Sequence, residues 1–262
     1  MRFTGKVALV TGSSRNIGKA IAERFASEGA AVVVNARSSQ DELEATASEF
    51  EAQGYQVLPV LADVADPEAV NDMVAKGIDR FGKIDVLMIN HSIRPLREFL
   101  KMTHDEWHFV CGVNLHSAMY LCQSVLPSMI EQGGGSIIAV GGDTGGAGRA
   151  GLHSYVRPHA FASLAGRTTL LRSLMREFAP KGVRVNFVSP GVMDTVRKNP
   201  EWYPADEEAD KPPQERRKVL QQIPVGRPGK PAEVADAVLW LASDEAEYVL
   251  GTTIGVNGGW GM

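Results

Sequence analysis

Residues 7–18, with the sequence VALVTGSSRNIG, decide the fold of this chain. A short apolar run, Val7–Val10, leads into a turn that contains Gly12 and Gly18, and a segment of helical period follows the turn. A glycine turn between a strand and a helix lets backbone approach a pyrophosphate and points helix N–H groups at it. The stretch therefore predicts a strand, a phosphate-binding turn and a helix, in that order.

The same alternation of short apolar runs and helical segments continues along the chain. The runs are Val7–Val10, 32–34, Val57–Leu61, Val86–Ile89, 136–140, 183–188 and 252–256, and the helical segments include 17–28, 41–53, Pro67–Phe81, 105–131 and 161–178. Each run is short enough for a buried parallel strand. Repeated strand–helix–strand units need right-handed crossovers, which place helices on both faces of the sheet. The sequence predicts one doubly wound α/β domain over residues 1–262, with a parallel sheet of about seven strands.

Composition excludes several classes of protein. The chain has 262 residues, of which 27 are Lys or Arg and 31 are Asp or Glu, so it lacks the excess of basic residues that is typical of a protein that binds nucleic acid. No run approaches the roughly 18 apolar residues of a membrane span. Because Cys111 and Cys122 are the only cysteines, a reducing compartment is expected, with the cytoplasm as the default. His104 and His108 lack the glutamate that follows the first histidine of zinc proteases, so we expect no metal.

One segment interrupts the alternation. Residues 196–222 contain four prolines, dense charge of both signs, and the aromatic side chains of Trp202 and Tyr203. The segment follows a strand end, which is where ligands bind in such sheets. A long insertion at this place is typical of a lid or binding loop, and a solvated surface excursion is the alternative.

The glycine turn and several later motifs resemble the short-chain dehydrogenase/reductase family nearly end to end. The turn matches the family signature TGxxxGxG, with Asn16 in place of the middle glycine. The other matching stretches are Asp63-Val64, Asn90, Val113-Asn114-Leu115, Tyr155, the PGxxxT stretch Pro190-Gly191-Val192-Met193-Asp194-Thr195, and Asn257-Gly258-Gly259. Asparagine is the non-glycine residue that best tolerates left-handed backbone, so we expect Asn16 to preserve the turn.

The resemblance implies a nicotinamide dinucleotide and a set of residues that bind it. That set is Gly12, Ser14, Arg15, Asn16, Ile17, Gly18, Arg37, Asp63, Val64, Asn90, Pro190, Gly191 and Thr195. Folds of this kind that select NAD place an acid about 20 residues after the turn. Here the chain has Asn35-Ala36-Arg37 instead. Arg37 and Arg15 would put two guanidinium groups where a 2′-phosphate lies, so NADP(H) is the predicted cofactor.

The resemblance also implies a catalytic set, of which this chain has half. The family uses an asparagine, a serine, a tyrosine and a lysine, and here Asn114 and Tyr155 match, whereas Gly142 and His159 take the serine and lysine positions. A phenol with a pKa near 10 needs a nearby positive charge to act at neutral pH. A histidine at i+4 would share a helix face with Tyr155 but supply less charge than lysine. We expect Tyr155 as acid/base, with Asn114 and His159 as atypical helpers.

The sequence leaves three functions open. The first is an NADP(H)-dependent oxidoreductase that acts on a carbonyl or imine-like group of a partly hydrophobic small molecule. The second is a catalytically silent subunit that binds nucleotide, which the replaced serine and lysine favour. The third is non-redox chemistry, such as dehalogenation or elimination, on the same scaffold. The resemblance further implies a homotetramer. His91, which stands where the family keeps alanine, indicates either local repacking or a reshaped cofactor pocket.

Overall fold

The computed structural model describes residues 1–141, 157–196 and 221–260. Strands and α-helices alternate along these residues. The strands are β1 (Val7–Val10), β2 (Ala31–Ala36), β3 (Val57–Leu61), β4 (Val86–Ile89), β5 (Gly135–Val140), β6 (Val183–Pro190) and β7 (Thr253–Val256). The helices are α1 (Asn16–Ser27), α2 (Gln40–Ala52), α3 (Pro67–Phe81), α4 (His104–Cys111), α5 (Ser117–Glu131), α6 (Pro158–Phe178) and α7 (Pro231–Ala242).

The strands form one parallel sheet in the order β3-β2-β1-β4-β5-β6-β7. The order reverses between β1 and β4, which is the switch point where doubly wound folds bind ligands. Strand β1 shows how both faces are covered, since Val7 and Leu9 pack in one core while Ala8 and Val10 pack in the other. Helices α3, α5 and α6 cover the first face, and α1, α2 and α7 cover the second. The predicted fold class is confirmed.

Two predicted helices differ in detail from the structure. The segment 105–131 is helical throughout, as predicted, but it contains a π-helical turn at Gly112–His116 between α4 and α5. Helix α6 begins at Pro158, with the proline ring in the first turn where its missing N–H costs no hydrogen bond. Tyr155 lies outside the described residues, so its place on one helix face with His159 stays a prediction.

Within the described residues, one helical stretch, His104–Glu131, has the length and hydropathy of a membrane span. More than half of its most apolar window, 56%, is buried inside the fold. Helix α5 supplies that buried face, with Leu121, Val125 and Met129 fully enclosed against the sheet. The stretch therefore has the burial of a core helix.

Candidate functional site

The glycine turn packs backbone against backbone at the end of β1. Gly12 has a φ of +61°, in the left-handed region. A Cβ on Gly18 would lie 2.2 Å from the carbonyl oxygen of Gly12, so this helical position has room only for glycine. The Asn90 amide, just after β4, donates to the carbonyl oxygens of Thr11 at 3.1 Å and Gly12 at 2.9 Å. The turn is thus held at the switch point by β4.

The first turn of α1 follows directly and is suited to an anion. Asn16 has a φ of +50°, the one positive φ outside glycine among the described residues, as expected for an asparagine that replaces the middle glycine. Within the described chain, no side chain caps the helix at Arg15, and the first turn contains no acid. The leading N–H groups and the helix dipole therefore favour a negative group here.

Ser13 and Asn35 tie this turn to β2. The Ser13 N–H donates to the Asn35 carbonyl at 2.8 Å, and the Asn35 N–H donates to the Ser13 hydroxyl at 2.9 Å. The Asn35 amide accepts from the Gly12 N–H and donates to the carbonyl oxygens of Val60 and Ala62. An aspartate could not donate these last two bonds. Asn35 is therefore a buried structural residue at the place where an acid would select NAD.

The two arginines expected at a 2′-phosphate lie on either side of this region. The guanidinium of Arg15 forms an ion pair with Glu42 of α2 at 3.1 Å. Arg37 is exposed, one residue past β2, and its guanidinium lies 5.8 Å from the centre of the Phe109 ring. Thr46 of α2 donates to the Ser14 carbonyl at 3.0 Å, which holds α2 against the glycine turn. Glu42 thus partly neutralises the charge of Arg15, and the guanidinium of Arg37 lies over an aromatic ring.

The remaining residues of the expected cofactor set lie at the same edge of the sheet. Asp63 and Val64 follow β3, where the Asp63 carboxylate accepts the Ala65 N–H at 3.0 Å and Val64 is buried. Ile17 packs against the core beneath α1.

The PGxxxT stretch starts at Pro190, the last residue of β6. The Gly191 N–H donates to the Val256 carbonyl at 3.0 Å, and the Asp194 N–H donates to the Gly229 carbonyl at 2.7 Å. These backbone bonds position Thr195, the next residue, at the carboxyl edge of the sheet.

His91 occupies a partly buried position between β1 and the turn after α4. Its Nδ1 lies 2.8 Å from the Thr11 hydroxyl, and its Nε2 lies 2.8 Å from the Ser117 hydroxyl and 3.1 Å from the Val113 carbonyl. A neutral ring with its proton on Nε2 satisfies all three contacts, since Thr11 can donate to Nδ1. Burial, with repulsion from Arg167, lowers the pKa of His91 to about 3. Because both ring nitrogens contact neighbouring protein groups, this geometry favours local repacking, and a reshaped cofactor pocket stays the alternative.

Arg167 places a fixed positive charge under the same edge. Its side chain, on α6, is 1% exposed and donates to the carbonyl oxygens of His91 at 3.1 Å and of Val140. These carbonyls lie just past β4 and at the end of β5. Burial lowers the pKa of Arg167 to about 9, with repulsion from Arg94 second, so the guanidinium is still protonated at neutral pH. Sequence reasoning missed this residue, although Leu164, Arg167 and Leu171 share an apolar helix face at i+3 and i+4 spacing.

Asn114 lies in the π-helical turn, and its amide is fully engaged. It accepts from the Ile93 N–H at 2.8 Å and donates to the Ile93 carbonyl at 2.9 Å and to the Ser163 hydroxyl at 3.1 Å. This arrangement joins the loop after β4 to α6. Irregular π turns often mark functional sites. The catalytic role of Asn114 stays a prediction, and its contact with Ser163 was not foreseen.

His159 is buried at the start of α6. Neither ring nitrogen has a hydrogen-bond partner within the described residues, and burial lowers the pKa of the imidazole. The lowered pKa disfavours a positive charge on this ring, and the helper role of His159 stays a prediction. Tyr155, Gly142 and most of the 196–222 segment lie outside the described residues. The residues that the structure describes contain no cluster of three His, Cys, Asp or Glu side chains able to bind a metal.

Comparisons with known proteins agree with this geometry. A family model described as enoyl-(acyl carrier protein) reductase matches residues 12–261. The 3-oxoacyl-(acyl-carrier-protein) reductase FabG of Thermotoga maritima is 37% identical over 259 residues, 99% of each chain. The chain belongs to the short-chain dehydrogenase/reductase family. FabG of Escherichia coli K12 is another relative, 36% identical over 259 residues that cover 99% of this chain and 98% of its own.

A solved short-chain dehydrogenase/reductase shows the same architecture. A 7α-hydroxysteroid dehydrogenase in complex with NADH and 7-oxo glycochenodeoxycholic acid matches with a TM-score of 0.85 and 29% identity, covering 99% of this chain and 95% of its own. As a short-chain dehydrogenase/reductase, this protein is of the oxidoreductase type that takes a nicotinamide cofactor.

The contact between Gly18 and Gly12 predicts that Gly18→Ala will disrupt the nucleotide site. The new Cβ would meet backbone at 2.2 Å, so the turn or α1 must shift, and overpacking of this kind costs about 1–3 kcal/mol. We expect a lower melting temperature and at least tenfold weaker binding of NADPH in a fluorescence titration. Gly112→Ala is the matched control, because its Cβ would meet only Ala65, at 3.8 Å. Wild-type affinity in Gly18→Ala would contradict the proposed fit.

The neutral His91 predicts loss of stability in acid. An unfolded imidazole binds a proton below about pH 6.5, whereas the folded site does so only near pH 3. The unfolded state therefore binds more protons between these values, and the free energy of unfolding falls as the pH falls. This one group accounts for a loss of about 2 kcal/mol between pH 7.5 and pH 5.

Urea denaturation at several pH values tests this expectation. His91→Ala should flatten the pH dependence of unfolding, whatever its effect at pH 7.5. His104→Ala, at the exposed start of α4, should leave the slope unchanged. Equal slopes for wild type and His91→Ala would show that His91 is not the neutral group.

Proposed function

We propose that this oxidoreductase uses NADP(H) to reduce a carbonyl or imine-like group, or to oxidise the corresponding alcohol, with Tyr155 as acid/base. The cofactor choice rests on the residues past the glycine turn. Asn35 is buried and bonded to backbone, and the exposed side chain that follows β2 is Arg37. A planar guanidinium with several donors suits a phosphate better than a ribose hydroxyl.

The chain's own groups would bind the dinucleotide along the carboxyl edge of the sheet. The uncapped first turn of α1 favours the pyrophosphate, and Arg37 and Arg15 flank the place expected for a 2′-phosphate. When bound, the nicotinamide supplies or accepts the hydride. The PGxxxT stretch, held by Gly191 and Asp194, would position Thr195 near that end of the cofactor.

Tyr155 would pass a proton to or from the substrate oxygen or nitrogen, and it needs a positive charge nearby to do so at neutral pH. Because burial lowers the pKa of His159, that residue is a poor source of charge. Arg167 is a protonated, buried group that donates to the carbonyls at the ends of β4 and β5, the second of them two residues before Gly142. We propose that Arg167 takes over the electrostatic part of the missing lysine, with Asn114 holding the adjacent backbone.

The relatives support an oxo substrate, since FabG is named as a 3-oxoacyl reductase and the hydroxysteroid dehydrogenase binds a 7-oxo steroid. The 196–222 segment, with Trp202 and Tyr203, is proposed as a binding loop for a partly hydrophobic substrate.

We also propose a homotetramer in the cytoplasm. Apolar side chains that face solvent in one chain support association, among them Phe99, Leu100 and Tyr248. Cys111 and Cys122 are both buried free thiols, which suits a reducing compartment.

The cofactor proposal predicts that NADPH binds more tightly than NADH, and that Arg37→Ala removes much of the difference. Loss of a hydrogen bond to a charged phosphate costs about 1.5–3 kcal/mol, so NADPH affinity should fall roughly tenfold to a hundredfold while NADH affinity changes little. Fluorescence titration with both dinucleotides measures this. Arg80→Ala is the matched control, because Arg80 also lies over a phenylalanine ring, that of Phe81 at 5.4 Å, but at the far end of α3. Tighter binding of NADH by the wild type would refute the choice of NADP(H).

The catalytic proposal predicts that Tyr155→Phe abolishes single-turnover oxidation of NADPH against a panel of carbonyl and imine compounds, since no phenol remains to move the proton. If the site is a weakened reductase, the double variant Gly142→Ser, His159→Lys should oxidise NADPH faster than the wild type.

The same assay separates the other two functions. Equal rates for wild type and Tyr155→Phe would remove Tyr155 from the mechanism. Nucleotide binding without turnover would indicate a silent subunit, and product formation without nucleotide consumption would indicate non-redox chemistry.

A further inference from the structure

The side chain of Asn16 is paired with a residue far away in the sequence. Its amide nitrogen donates to the Val196 carbonyl at 2.8 Å, and its amide oxygen accepts the Val196 N–H at 3.1 Å. The side chain of Asn16 thus satisfies both the backbone N–H and the backbone C=O of Val196, as a neighbouring β-strand would do. The two residues are 180 positions apart, so the pair is entirely tertiary.

The position of this pair gives it a function. Asn16 begins α1 directly after β1, whereas Val196 follows β6, and β4 and β5 lie between those strands in the sheet. Neighbouring strands are about 4.8 Å apart, so residues 191–196 extend back over roughly 14 Å of the carboxyl edge. That edge includes the switch point between β1 and β4, where doubly wound folds bind dinucleotides. The pair therefore joins the two sides of the cleft.

We propose that Asn16 is a positioning residue, acting through Val196, that closes residues 191–196 across the dinucleotide cleft and slows the exchange of bound cofactor. This inference rests on the proposed binding of NADP(H). It also gives a reason for asparagine at the middle glycine of the turn. Glycine adopts a φ of +50° more easily but has no amide, and alanine has neither advantage. Asparagine tolerates the backbone and supplies both the donor and the acceptor.

Asn16→Gly tests the proposal, because it relaxes the backbone and removes only the amide. Stopped-flow fluorescence of NADPH should show dissociation faster by roughly tenfold, the effect expected for losing two exposed neutral hydrogen bonds. Association should rise by a similar factor, because the same closure hinders entry, so Kd should change less than threefold. Lys19→Ala is the control, since Lys19 lies on the same helix as Asn16 but pairs with Glu49 of α2 at 2.5 Å, and its NADPH rates should match the wild type.

Hydrogen exchange provides a readout that needs no cofactor. In Asn16→Gly the peptide that contains Val196 should exchange faster, whereas the Gly191 and Asp194 amides, bonded to Val256 and Gly229, should stay protected. If Asn16→Gly shows the hydrogen exchange and the NADPH kinetics of the wild type, the proposed closure is refuted while the proposed binding of NADP(H) stands. Faster dissociation with unchanged association would also overturn it, since Asn16 would then simply contact the dinucleotide. If neither NADPH nor NADH binds the wild type, both this inference and the proposed function fail.

Discussion

The contact between Gly12 and Gly18 is the constraint on which the rest of this site depends. The first turn of α1 lies against the carbonyl of Gly12 so closely that no Cβ fits between them. Asn90 then binds the carbonyls of Thr11 and Gly12, and Asn35 binds the Gly12 N–H. Polar groups of the turn are in this way satisfied by β2 and β4, which directs the start of α1 toward the carboxyl edge of the sheet. The exposed N–H groups at the start of α1 are therefore positioned by backbone packing.

The electrostatics of this edge depend on two basic side chains, of which one is neutral and the other is positively charged. His91 is neutral, because burial and Arg167 lower its pKa to about 3. Arg167 stays protonated, because a guanidinium starts from so high a pKa that burial leaves it near 9. A buried charge is costly unless hydrogen bonds stabilise it, and here strand-end carbonyls accept from Arg167. The fold thus maintains a positive charge at the ends of β4 and β5, on the carboxyl edge of the sheet.

The sequence predicted correctly the bounds of those strands and helices that depend on interactions between neighbouring residues. The predicted bounds of β1, β3, β4 and α3 match the structure, and Gly82 ends α3 in the left-handed conformation expected of a C-terminal glycine. The predictions failed where tertiary contacts alter the backbone. The amide of Asn114 binds Ile93 and Ser163 within a π-helical turn that interrupts the predicted helix 105–131, and helical periodicity does not reveal such a turn. Helix α6 starts at Pro158 rather than at the predicted residue 161, because a proline is best accommodated in a first turn.

The sequence by itself determined the doubly wound fold, the glycine turn after β1 and the absence of an acid after β2, because apolar period, glycine and residue type act over a few neighbouring positions. The tertiary structure decided which polar groups meet. Arg167 looks like an interruption of an apolar helix face until α6 packs beneath the ends of β4 and β5. Asn16 looks like a tolerated substitute for glycine until the chain returns from β6 and brings Val196 to its amide. Such contacts join residues whose separation in sequence has no fixed value, so only the packing of the sheet and its helices brings them together.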